Sequence, residues 1–362
     1  MTAQDTRAAR TERPAAARPA RRDGPGGGEP PLPRPRGPLS ETVVEALRVP
    51  PGRAAPPDAS LDGADPFGGD LQLALHTCYE LHYRGIAGVD PEWEWNPGLL
   101  AFRARLEGAF LGALRDGVQG GDDVTAALDA LLVEDVDARG VSHHLKDAGE
   151  WWQAREYFAQ RSIYHLKEAD PHAWVIPRLQ GQAKASLVAV EFDEYGGGRG
   201  ARLHSRLFAD LLEGAGLDSG YLAYLDAVPA EALAPVAMMS LFGLHRSLRA
   251  ALVGHFAAAE ITTAPSARRI AAALERLGAA PECLLFFTEH IEADAVHEQV
   301  LRRDVVGDLL AREPELAADV VFGVQATELL EERLGRRLLT HWERGATSLL
   351  TPLPDAPGVA VL

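Results

Sequence analysis

Residues 282–310 read ECLLFFTEHIEADAVHEQVLRRDVVGDLL. Apolar residues recur there at three- and four-residue intervals, the period of an α-helix with one buried face. At about 100° of turn per residue, His290, Asp294 and His297 fall within about 60° of one another. Phe286, Phe287 and Leu301 share that stripe, and Glu292 projects away from it. A carboxylate between two imidazoles on a buried face is costly unless something pairs with it. A divalent metal is the simplest compensator, because it accepts imidazole nitrogen and carboxylate oxygen together. A solvent-facing helix, or a His–Asp pair satisfied in the core, would leave the same pattern.

The helical period extends outward from this stretch in both directions. DLQLALHTCYELHYRG, GLLAFRARLEGAFLGALRDG, WWQAREYFAQRSIYHLKEA and PRLQGQAKASLVAVEFDEY all carry it, as do RLHSRLFADLLEGAG and AADVVFGVQATELLEERLGRRLLTHWERG. The fold class read from this is all-α, a helical bundle. Asp170-Pro171 supplies an N-cap with proline at N1, Pro235 and Ser266 open helices, and Gly216 and Gly278 close them. No run alternates like a strand and no repeat is visible. GGGRG at 196–200 has helical patterns on both sides, which argues against a phosphate loop.

Residues 1–66 hold 13 of the 25 prolines and no aromatic residue. Such a segment reads as a disordered Pro/Arg/Ala-rich tail, with a short helix at SETVVEAL capped by Ser40. Its PPLPRP stretch reads as a tether, or as a ligand for a proline-recognising domain. The expected domains are then a helical subdomain over 67–145, a main domain over 146–352 and a C-terminal tail over 353–362.

The chain has 362 residues, 46% of them apolar, and a formal charge of −16. That charge argues against nucleic acid or an anionic membrane as partner. Cys78 and Cys283 make neither a disulfide framework nor a thiolate metal site, and both sit in apolar helical runs as core residues. The expected location is cytoplasmic. No apolar run is long enough to span a membrane, and no apolar stretch follows the positive N-terminus or Arg21-Arg22 as a signal would require. No G-x-S-x-G supports a serine triad.

Further metal donors are sought on other buried stripes. Glu194 extends the stripe of Leu179, Ala183, Leu187 and Val190, and Glu191 lies about 60° off it as a reserve. The helix dipole disfavours an acid at that end, so Glu194 asks for a reason to be there. Gly196–Gly198 then break the helix, and a bend would bring His204 back beside Glu194. Glu168 shares a face with Tyr157, Arg161 and Tyr164, and a salt bridge to Arg161 is its alternative role. Glu260 sits on an alanine-rich helix as a structural acid or a partner to a ligand. Three carboxylates and three histidines inside a helix bundle suit paired iron or manganese better than zinc.

LKEADPHAWVIPRLQGQAKASLVAVEFDEYGGG, followed by His204, by SLFGLHRSLRAALVGH and by FFTEHIEADAVHEQ, resembles the haem-oxygenase-like diiron superfamily of iron-containing redox enzymes. The likeness spans roughly residues 70 to 350 and is closest to the central domain of the nitrosourea-forming N-oxygenases. It implies a haem-oxygenase-like bundle in which Glu168, Glu194, His204, His290, Asp294 and His297 hold two irons per chain. These would cycle between Fe(II) and Fe(III), with O2 as co-substrate. Glu191, Tyr195 and Glu260 would stand behind the ligands. The implied function is O2-dependent oxidation of a small molecule, such as N-hydroxylation of an amine or guanidine in specialised metabolism. Oxidative C–C cleavage or desaturation of an amino or fatty acid is the alternative within the family, and an external electron donor and a homodimer are the expected partners. A cofactor-free enzyme on the same fold and a non-enzymatic helical interaction protein are the readings outside it. The N-oxygenases carry a C-terminal cupin domain, and the sequence up to Leu362 shows no strand-rich segment, so only their first reaction step is expected.

Overall fold

The apolar stripes become helices that start where a side chain or a proline can satisfy the first turn. The computed structural model describes residues 28–134 and 139–354, without the side chains of 292–296. In chain order its helices are α1 (Pro38–Leu47), α2 (Gly69–Glu80), α3 (Pro97–Asp116), α4 (Val124–Leu131), α5 (Val141–Asp147), α6 (Trp151–His165), α7 (Asp170–Ala173), α8 (Gly181–Glu194), α9 (His204–Gly214), α10 (Ala230–Leu244), α11 (Arg249–Arg276), α12 (Pro281–Gln299), α13 (Gly307–Arg312) and α14 (Ala317–Trp342). No strand occurs among the described residues, so the chain is the expected all-α bundle. None of these helices is long and apolar enough to cross a membrane.

The caps explain several starts. Asn96 accepts from the Leu99 N–H ahead of Pro97, and Asp123 accepts from the Ala126 N–H at the start of α4. Glu150 and Gln153 close a reciprocal capping box on α6. Gly216 and Gly278, at φ 68° and 67°, follow the ends of α9 and α11 as expected.

Other boundaries differ from the sequence reading. Asp170 is the first residue of α7 rather than its cap, and Pro235 and Ser266 lie inside α10 and α11. α11 runs through Pro265 for 28 residues. Proline removes one hydrogen bond, but Ile261, Ala264, Ala267 and Ile270 keep the helix buried on one face. The Thr262 and Thr263 hydroxyls also donate to the carbonyls of Ala258 and Ala259 in the turn before the proline. The quoted 282–310 stretch is not one straight helix. A wide π-helical turn, Val300–Val306, separates α12 from α13.

The expectation of a disordered tail as far as residue 66 does not hold for the described part. Leu39, Val43, Val44 and Leu47 bury one face of α1 against α2. Ser40 is not the cap. Asp70, across on α2, accepts from the backbone N–H groups of Leu39 (2.9 Å) and Ser40 (2.7 Å) and from the Ser40 hydroxyl (2.6 Å). The PPLPRP stretch lies on the body rather than free. Pro30 accepts from Ala87 N–H, and Arg36 just beyond it donates to the carbonyls of Leu225 and Val228. Composition alone suggested disorder because it counts apolar residues, whereas prolines lose little entropy on packing. Residues 1–27 and 355–362, which carry the rest of the tail expectations, lie outside the described residues.

Two cores form. One joins α1 to α4 with α8, α10, α13 and the N-terminal halves of α11 and α14, and the other joins α6, α9 and α12 with the C-terminal halves of α11 and α14. α11 and α14 cross closely. A Cβ added at Gly254 would lie 2.1 Å from the Val320 carbonyl oxygen, and one at Gly323 would lie 2.0 Å from that of Ala251. Only glycine at both positions permits this approach.

Candidate metal centre

The site collects where five segments converge. The loop after α6 brings Glu168, the end of α8 brings Glu194, the start of α9 brings His204, α11 brings Glu260, and α12 brings His290 and His297. All six side chains are buried. Their donor atoms form two groups, each with all atoms within 4.8 Å of one another: Glu168, Glu194, His204 and His290 in one, and Glu194, Glu260 and His297 in the other. Glu194 belongs to both.

Local structure aims each donor. Arg84 donates to the Leu166 carbonyl at 2.6 Å, and the Lys167 ammonium pairs with Glu80 at 3.0 Å in full burial. These contacts pin the segment that presents Glu168. The bend after α8 is tight because Gly196 lies at φ 69°, where a Cβ would meet the Arg202 carbonyl carbon at 2.5 Å. That bend returns His204, as expected. Its Nδ1 is 2.8 Å from Glu194 Oε2, yet the pair does not form a hydrogen bond. Two basic atoms so close and so misaligned are disposed toward a common third atom, which fits a cation. His290 donates Nδ1–H to the Phe286 carbonyl at 2.7 Å. That contact fixes the tautomer and leaves Nε2, 3.8 Å from Glu168 Oε1, as the basic nitrogen.

The electrostatics agree with this arrangement. Burial alone would raise Glu168, but His165 at 2.9 Å and His290 beside it hold its carboxyl well below the usual range. Burial raises Glu260. Burial also opposes charge on His297, but bonding to Glu260 at 3.2 Å, with Asp193 and Glu194 nearby, outweighs it and carries its pKa to about 9. Glu191 is buried with neither oxygen bonded among the described residues, and burial beside Glu194, Asp170 and Glu260 pushes it up to about 9.

The sequence-derived residues are therefore distributed as follows. Glu168, Glu194, His204, His290 and His297 come together. The side chain of Asp294 lies outside the described residues. Glu168 is not bridged to Arg161, which forms a two-pronged pair with Glu331 at 2.7 and 2.5 Å. Tyr195 donates to Asp170 at 3.0 Å rather than to a ligand. Glu260, expected behind the ligands, sits among the donors. No period on an alanine-rich helix singles it out, and only its approach to His297 does.

A cavity of about 630 Å³ opens onto Glu168, Glu194, Glu260 and His290. Tyr164, His172, His255, Phe256, Arg161 and Glu331 line other parts of it. Oxygen-rich donors with imidazoles, buried beside a cavity of substrate size, fit iron chemistry on a bound small molecule.

Comparison with known proteins agrees. Residues 155–332, which contain all six donors, match the family model of iron-containing redox enzymes. A nitrosourea synthase of Streptomyces achromogenes subsp. streptozoticus is 27% identical over 282 residues, covering 72% of this chain. The match covers 60% of that relative's length. The helical fold and the buried His/Glu donors are in keeping with these matches, which make residues 155–332 similar to the iron-containing redox enzymes.

Proposed function

We propose that the protein is a non-haem diiron oxygenase that hydroxylates a nitrogen of a small amine or guanidine. The observation that carries this reading is the pair of buried donor groups sharing Glu194. A carboxylate common to two groups is the arrangement by which helix bundles hold two metal ions. Glu168, His204 and His290 would complete one site. Glu260 and His297 would complete the other, together with Asp294 on the sequence reading. The nitrosourea synthase adds support, since a nitrosourea contains an oxidised nitrogen.

Held by these Glu and His side chains, two Fe(II) ions would pass electrons to O2 and be restored by the external reductant. In balance, the substrate N–H becomes N–OH, the second oxygen atom leaves as water with two protons, and two electrons come from an external reductant. The chain's own groups manage the protons and the boundary. Burial and the surrounding carboxylates keep the Tyr164 phenol protonated, with a pKa far above its usual value. Burial favours the protonated form of Glu191, and Phe286 and Phe287 exclude water on one wall of the cavity. Homodimer assembly and a cytoplasmic setting belong to the same proposal.

Anaerobic Fe(II) titration followed by O2 addition tests it. Two irons per chain and rapid O2 consumption are expected, both lost in His290→Ala. Uptake of no iron, or iron without O2 consumption, would refute the reading.

A further inference from the structure

Two buried imidazoles in the cavity have no part in the metal centre. His172 and His255 stack at 5.2 Å between ring centroids, and His172 also lies flat on Phe256 at 4.2 Å. Both line the cavity, and both Nε2 atoms are buried without a hydrogen-bond partner among the described residues. An unsatisfied buried polar atom costs stability, and two such atoms side by side in a cavity ask for a ligand.

The tautomer of His255 can be derived. The Thr327 hydroxyl donates its one proton to the Gly323 carbonyl at 2.7 Å. The same oxygen lies 2.8 Å from His255 Nδ1, so there it accepts and Nδ1 carries the hydrogen. Nε2 is then a lone pair. Burial keeps the ring neutral, with its pKa lowered to about 4. The Tyr164 hydroxyl is 3.4 Å from His172 Nδ1, too long to fix that ring, which can present either role.

We infer that His255 Nε2 is the acceptor that reads an N–H of the substrate head group, selecting a guanidinium or amine over an aliphatic chain. This rests on the proposed nitrogen oxidation and makes His255 its positioning residue. A hydrocarbon chain in this part of the cavity would leave both Nε2 atoms unsatisfied, which argues against fatty acids.

The test uses n-butylguanidine and hexanoate as probes, titrated calorimetrically into anaerobic iron-loaded protein and, in parallel, into protein without added iron. His255→Phe keeps a flat ring but removes the acceptor. Thr327→Val removes the oxygen that fixes the tautomer and serves if His255→Phe fails to fold. The expected result is butylguanidine binding that weakens by about ten- to a hundredfold in His255→Phe and less in Thr327→Val, with hexanoate weak and unchanged. Absence of butylguanidine binding, unchanged affinity in both variants, or an equal loss for hexanoate overturns the inference. Iron content measured in the same samples reports separately on the diiron reading.

Discussion

Glu260 is the residue on which the iron count turns. It meets His297 at 3.2 Å and shares a group with Glu194, so on the proposed diiron reading Glu260→Ala should remove one iron and spare the other. Anaerobic titration with an iron-specific chelator counts them, and retention of two irons would remove Glu260 from the donor set. His255 makes a second prediction, on stability. Its pKa is about 4 when folded, against 6.5 as the ordinary value. The unfolded chain therefore binds more protons between those values, so stability should fall as pH drops from 6.5 to 4 and level off below. The loss attributable to this ring is about 3 kcal/mol by linkage, and denaturant melts at pH 7 and pH 4.5 should show a smaller decrement in His255→Phe. Glu194, His290 and His297 could be read from helical stripes, because each is a polar residue where the period demands an apolar one, and His204 from the glycine break, whereas for Glu168 a salt bridge to Arg161 is an equal alternative in the sequence. Glu260 and His255 could not be read this way, since long stretches of α11 are small or buried on every side and periodicity carries no contrast there, and His172 lies in α7, whose four residues are too few to show a period.

At the scale of elements, positioning depends on two clamps. The Lys167–Glu80 pair is fully buried, with the Tyr221 hydroxyl donating to Glu80 at 2.6 Å. Lys167→Met leaves Glu80 charged and unpaired, at a cost of about 3–5 kcal/mol. The double variant with Glu80→Leu should recover most of it, and thermal melts of the single and double variants decide. The crossing of α11 and α14 is the second clamp. Gly323→Ala should destabilise by about 3 kcal/mol or leave the chain unfolded, because the new methyl meets backbone that cannot move aside. The helical class was evident from periodicity alone. The break assigned at Ser266 was wrong because Pro265 with Ser266 is strong local punctuation, and only tertiary burial overrides it.

For the whole molecule, the N-terminal segment belongs to the body. A chain beginning at residue 48 should melt well below one beginning at residue 28, since it loses the Leu39, Val43, Val44 and Leu47 face and the Asp70 contacts. Equal melting temperatures would return that segment to the status of a tether. The metal donors are scattered from Glu168 to His297, and no two neighbouring segments hold a full group. The helix that carries Glu260 is itself seated by α14, which begins at Ala317. A nascent chain therefore contains every donor before it can gather them. A chain ending at residue 316 should hold every donor and yet fail to bring them to their 4.8 Å spacing, and iron uptake compared between that chain and the full one checks it.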